Sequence, residues 1–261
     1  MSGIVLNCLY YSSIQLFCQI MSELNLTDEL TVESALRPKT WDDYIGQDNI
    51  KRNLRVILDA AKKRNETPDH LLFYGQAGLG KTTLAYLVAT ELGAHLRVTS
   101  GPALEKMGDV AAILSNLENN DVLFIDEVHR LNHLIEEVLY PAMEMRKLHM
   151  VIGKGPAART LSLDLPPFTL LAATTKAHLI SHPLRSRFGA VFKLDYYEEF
   201  DIEKIVKKSA QVLKLTIVPE AVKMIAAASR FTPRVANRLL KRVRDYASVY
   251  NKEIIDASTV Q

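Results

Sequence analysis

The chain has 261 residues, of which 48% are apolar and 24% charged, and its formal net charge is +2. This is an ordinary globular balance with a sizeable expected core, enough for one large domain or up to two ordinary ones. A charge so near zero does not by itself call for nucleic acid or an anionic membrane, so any basic surface must be local. Two cysteines, Cys8 and Cys18, cannot staple a fold, and no CxxC spacing exists. A reducing, cytoplasmic setting fits best.

In chain order, Ile4–Ile20 is apolar with Ser, Gln and Asn scattered through it, and no Lys or Arg precedes it. It lacks the charged start of a secretory signal and falls short of the roughly 20 apolar residues of a spanning helix. With Met21-Ser22-Glu23 as an alternative start, residues 1–22 read as a spurious or disordered extension. A polar stretch ends at Arg37-Pro38-Lys39. From Asn49 to Arg64 the apolar positions Ile50, Leu54, Ile57, Leu58 and Ala61 recur at helical spacing. His70–Tyr74 then reads as a buried strand, Lys81–Leu92 as a helix, and Val122–Ile125 and Phe168–Ala173 as further buried strands. Helical patterns separate them, which predicts an α/β fold with a parallel sheet covered on both faces. Two alternating stretches between Leu148 and Leu165, joined by Gly153-Lys154-Gly155-Pro156, predict a β-hairpin. After Tyr197 the strand pattern stops, and Asp201–Lys214, Pro219–Arg230 and Pro233–Val249 read as three helices. The expected division is a large domain over 23–198 and a small helical domain over 199–261.

The strongest motif is Gly75-Gln76-Ala77-Gly78-Leu79-Gly80-Lys81-Thr82, which fits G-x-x-x-x-G-K-[ST]. With glycine at about 7% of an average chain, a chance match in this length is about a 1% event. Here it also follows an apolar strand and opens a helix. Glycines allow the tight turn that aims successive N–H groups at phosphate oxygens, and the helix start adds its positive end. Lys81 can reach the β and γ phosphates, and the Thr82 hydroxyl can ligate Mg²⁺. Asp126 and Glu127 close the strand Val122–Ile125. Next to such a loop, Asp126 is expected to hold Mg²⁺ and Glu127 to polarise the attacking water.

Thr174-Thr175 ends the next strand, where a polar residue can read the γ-phosphate or simply make a turn. Arg185 and Arg187 lie beside Gly189. One of them could be an arginine finger, an effect worth about 10³–10⁵ in rate, or the two could form a surface pair. Between Arg230 and Arg244 there are six basic residues and no acid, with Arg234, Arg238 and Arg242 four apart on one helix face. The stripe reads either as solvated or, at Arg234, as a group able to swing onto a nucleotide. The histidines show no zinc spacing, and His129 reads as a polar contact.

Several long strings together resemble the RuvB family of AAA+ motors, which drive Holliday-junction branch migration. They include LRPKT from Leu36, YIGQ from Tyr44, the Gly75–Thr83 loop, DVLFIDEVHRL from Asp121, IGKGPAAR from Ile152, DLPPFTLLAATT from Asp164 and TPRVANRLLKRVRDY from Thr232. The resemblance runs from Leu36 to Tyr246. It implies an AAA+ P-loop αβα domain, a small helical lid, a homohexameric ring, ATP and Mg²⁺, with RuvA, RuvC and Holliday-junction or duplex DNA as partners. RuvA would dock on the hairpin near 148–165. The implied catalytic set is Glu127, Asp126, Lys81, Thr175 as sensor and Arg187 as a finger acting on a neighbour. Implied nucleotide contacts are Leu36, Arg37, Tyr44, Ile45, Gly75, Gly78, Gly80, Lys81, Thr82, Thr83, Glu144, Met145, Arg146, Arg187, Tyr197 and Arg234, with Leu36-Arg37 and Tyr197 flanking the adenine. Thr82 and Asp126 are the implied metal ligands.

The sequence departs from the family at Glu144-Met145-Arg146, where Glu-Asp-aromatic is usual after Pro-Ala-Met. Family members also continue into a winged-helix domain that grips DNA, and no such segment follows Gln261 here. The expectation is therefore a truncated motor that hydrolyses ATP but lacks a processive grip. A clamp-loader-like AAA+ ATPase, or an ATP- and RuvA-binding fragment without motor activity, are the alternatives.

Overall fold

Ile50, Leu54, Leu58 and Ala61 are all buried, and their spacing makes Asp48–Arg64 the amphipathic helix α1. Asn65 ends it in the left-handed region, its N–H reaching back to the carbonyls of Ala61 and Lys62. The computed structural model describes residues 34–152 and 159–260. The expected extension over 1–22 and the turn Gly153–Pro156 lie outside them.

Five strands form one sheet: β1 (Leu71–Tyr74), β2 (Leu96–Ser100), β3 (Val122–Asp126), β6 (Thr169–Thr174) and β7 (Ala190–Lys193), in the order β2-β3-β6-β1-β7. Every neighbouring pair is parallel, with Leu71 opposite Leu171 and Phe124 also opposite Leu171 on its other side. Helices α2 (Lys81–Leu92), α3 (Met107–Ser115) and α4 (His133–Met145) follow the first three strands, as parallel crossovers require. Alternation along β1 sends Leu71 and Phe73 to one face with Leu54 and Leu84, and Leu72 to the other with Leu139 and Ile125. The AAA+ αβα expectation holds.

Between α4 and β6, strands β4 (Lys147–Ile152) and β5 (Arg159–Asp164) pair antiparallel as the expected hairpin. Past the short helix α5 (His182–Arg185) and β7 come α6 (Glu199–Val212), α7 (Pro219–Ala228) and α8 (Pro233–Val249), then the single turn α9 (Ala257–Val260). Their apolar faces (Ile202, Val206, Ala221, Leu240) join the same buried cluster as Phe73 and Leu84, and Trp41, Tyr44 and Tyr197 belong to it too.

One expectation needs correction. Strands do not stop after Tyr197: β8 (Thr216–Ile217) pairs in parallel with β9 (Ile254–Ile255). Two residues are too few to show a period. Strands β2 and β7, the sheet edges, give no long apolar run: no residue of β2 is buried, and in β7 only Phe192 is. Only the interior strands carry the continuous apolar signal.

Phe73 is fully buried on the interior strand β1. Phe73→Ala is expected to cost about 3–5 kcal/mol in urea unfolding, whereas Val56→Ala on the exposed side of α1 should stay within about 0.5 kcal/mol of the parent.

Candidate nucleotide site

A parallel sheet gathers the C-terminal ends of its strands at one edge. Here that edge carries the glycine loop after β1, Asp126 at the end of β3 and Thr174 at the end of β6. The N–H of Gly75 donates to the carbonyl of Thr174 at 3.2 Å, which seats the loop on its neighbour strand. Gly78 and Gly80 have φ of 85° and 99°, the region where a Cβ is strained. A Cβ on Gly78 would come 2.9 Å from the Cβ of Arg234, and one on Gly80 would come 2.7 Å from the Tyr44 hydroxyl.

Lys81 is buried and its ammonium donates to the carbonyls of Gly75 and Gln76, both at 2.8 Å. Burial pulls its pKa down, while the Asp126 and Glu127 carboxylates push it back up and Arg234 adds to the lowering. The Thr82 hydroxyl lies 3.4 Å from Asp126 Oδ2. Asp126 Oδ1 accepts the N–H of Glu127 at 2.9 Å. Glu127 Oε2 accepts the Thr175 hydroxyl at 3.2 Å and lies 3.1 Å from His129 Nδ1.

Tyr44 and Tyr197 are both buried. The Tyr44 O–H donates to the Leu79 carbonyl at 3.4 Å, and the Tyr197 O–H lies 3.3 Å from that carbonyl and 3.2 Å from the Tyr44 oxygen. Burial raises the pKa of Tyr44 and pushes Tyr197 up to about 12, so both are neutral donors at pH 7. The loop is thereby tied to the segment before α1 and to the start of the C-terminal helices.

These parts enclose a cleft of about 1100 Å³ between the sheet edge and the C-terminal helices. Of the expected contacts, it brings together Leu36, Arg37, Tyr44, Ile45, Gly78, Gly80, Lys81, Thr82, Thr83, Asp126, Glu127, Tyr197 and Arg234. Gly75 and Thr175 act one step behind, through Lys81 and Glu127. Glu144, Met145, Arg146 and Arg187 do not line it. They sit at the opposite edge of the sheet, where Glu144 pairs with Arg187 at 3.2 Å and the Met143 carbonyl meets His70, just before β1. Arg187 also stacks on Tyr140 at 4.3 Å and donates to the Pro183 carbonyl.

Lys208, Ser209, Asn237, Arg238 and Lys241 line the cleft without having been singled out as contacts. The arginine spacing on α8 is the one signal that could have found part of this set. Lys208 holds Asp43 by an ion pair, which keeps that carboxyl below its usual range. Among the described residues no cluster of three or more His, Cys, Asp or Glu forms a metal site of its own, and no helix is long and apolar enough to cross a membrane.

Lys81→Ala removes the one ammonium at the loop and should abolish binding of a fluorescent ATP analogue. Retained affinity within about threefold, or 0.7 kcal/mol, would remove Lys81 from the site.

Residues 36–194 match the family described as the Holliday junction DNA helicase RuvB P-loop domain, and residues 197–261 match the RuvB AAA lid domain. A Holliday junction branch migration complex subunit RuvB from Fusobacterium nucleatum is 52% identical over 238 residues, covering 91% of this chain and 72% of that protein. The solved structure of a Thermotoga maritima RuvB, described as a Holliday junction branch migration motor, superposes with a TM-score of 0.78 at 48% identity, over 87% of this chain and 71% of its own. A point mutant of that protein gives 0.79 at 48%, over 86% and 71%. With the glycine loop, the paired acids and the C-terminal helices in the arrangement above, the chain belongs to the RuvB family.

Proposed function

We propose that this chain is the ATP-hydrolysing motor subunit of a Holliday junction branch migration complex, a DNA helicase of recombination and repair in the cytoplasm. In this reading residues 23–198 are the ATPase body and residues 199–261 the lid. The observation that carries it is the convergence of Lys81, Thr82, Asp126 and Glu127 on one sheet edge, in a chain whose sequence matches the family over both parts.

Lys81 already holds its ammonium at the mouth of the loop against two carbonyls, ready to exchange them for β and γ phosphate oxygens. The Thr82 hydroxyl and Asp126 carboxylate, side by side, are oxygen donors of the kind Mg²⁺ takes. When bound, Mg²⁺ supplies positive charge to the phosphate oxygens. Glu127 accepts the proton of the attacking water, the bond between the β-bridging oxygen and the γ-phosphorus breaks, and ADP and phosphate result. Thr175 bonds Glu127 from the strand end and serves as the sensor. Arg234 packs on Gly78 at the start of α8, so the lid reads the state of the loop.

Arg187 acts on a neighbour. It precedes β7, at the N-terminal edge of the sheet, while its own loop follows β1 at the C-terminal edge. Four residues of strand span about 13 Å, which separates the arginine from its own cleft. A closed homohexamer brings it to the next subunit's nucleotide, with Glu144, Met145 and Arg146 on the same face. RuvA docks on the β4–β5 hairpin, RuvC joins the same complex, and junction and duplex DNA are the track.

A synthetic four-way junction incubated with this chain, RuvA, ATP and Mg²⁺ tests the reading, with strand exchange resolved on a gel. Junction dissociation is expected; ATP turnover that ignores DNA and moves no junction would refute it. Arg187→Ala should bind ATP normally, lose about 10³-fold in turnover, and recover in mixed rings with Lys81→Ala subunits that supply an intact finger. No recovery would rule out action on a neighbour.

A further inference from the structure

Glu127 is held by more than the loop. Its backbone sits at φ 50°, ψ 45°, where it opens the 3₁₀ turn Val128–Arg130. Its carbonyl presses on Gly101, where a Cβ would come within 2.4 Å. The side chain then meets two donors on a single oxygen, Oε2: the Thr175 hydroxyl at 3.2 Å and His129 Nδ1 at 3.1 Å. The His129 side chain is only 7% exposed. Its Nδ1 lies also 2.9 Å from Thr174 Oγ1, which accepts the N–H of Lys176 at 2.9 Å.

The hydrogen-bond pattern selects the tautomer. A lone pair on Nδ1 would face a carboxylate oxygen at 3.1 Å with nothing between them. A proton on Nδ1 instead serves both oxygens, those of Glu127 and Thr174. Burial lowers the pKa of His129, the Glu127 carboxylate pushes it back up, and Lys176, Arg130 and His178 add to the lowering, with a net shift downward that favours a neutral imidazole.

We propose that His129 is a positioning residue for Glu127: with Thr175 it ties down Oε2, so that Oε1 is the oxygen presented to the attacking water. The proposal rests on the reading of Glu127 as the proton acceptor. A carboxylate with one oxygen accepting two hydrogen bonds loses its rotation, and misplacement by about 1 Å costs on the order of 10²-fold.

Steady-state ATPase of the full chain tests it. His129→Leu should lower kcat about 10–100-fold and leave KM for ATP within about twofold, as a group that touches no phosphate requires. His129→Asn, whose amide N–H stands where Nδ1–H stood, should return kcat to within about threefold of the parent. Normal kcat in His129→Leu, a parallel rise in KM, or an Asn variant as slow as the Leu variant would each overturn the proposal. Glu127→Gln separates the two ideas: if it turns over like the parent, the role of Glu127 itself falls; if it is dead while His129→Leu is normal, only the positioning role falls. Nitrogen-15 NMR of the ring in the unmutated protein needs no variant to fold. The Nδ1–H tautomer is expected, and an Nε2–H tautomer would overturn the proposal.

Discussion

Three separate stretches of chain press on the glycine loop where a side chain would otherwise be: Leu194 at Gly75, Arg234 at Gly78 and Tyr44 at Gly80. The loop keeps its shape because these neighbours leave room for backbone alone. That constraint makes the loop carbonyls available to Lys81. It also brings the C-terminal helices directly against the loop. Arg234 opens α8, and its own N–H reaches the Gly78 carbonyl at 3.4 Å, so a shift of α8 must either move the loop or release it.

The charges around the loop balance in the same tight space. A buried ammonium without partners would be forced toward neutrality. Two carbonyls, together with the fields of Asp126 and Glu127, keep Lys81 a cation against its burial. Under the proposed function, a phosphate group would meet a cation already desolvated, the condition under which electrostatic contacts are strongest. The two buried tyrosines add rigidity without charge, since neither ionises near neutral pH.

The sheet divides the labour by direction. Strands that all run one way place the loop, Asp126, Glu127 and the Thr174–Thr175 pair at one edge and Arg187 at the other. Glu144 and Tyr140 hold Arg187 there in a defined pose, paired on one side and stacked on the other. Under the proposed function, a cleft and an arginine on opposite edges would be joined only between copies. The departure Glu144-Met145-Arg146 falls on this outer edge and does not line the cleft of its own chain.

The sequence by itself determined the interior strands, the long helices, the glycine loop and the two acids. Each of these is written locally, as an apolar run, a helical period or a fixed spacing whose meaning follows from backbone geometry. The edge strands β2 and β7 and the two-residue pair β8–β9 were not legible, because edge position and brevity erase the period that marks a strand. Nor could the sequence show that Lys208 and Asn237 reach the cleft, that Glu144 faces Arg187, or that His129 turns toward Glu127. His129 was legible as a polar contact but not as whose. Such pairings join residues by way of other strands and helices, so only the packing of the sheet edge against the lid decided them.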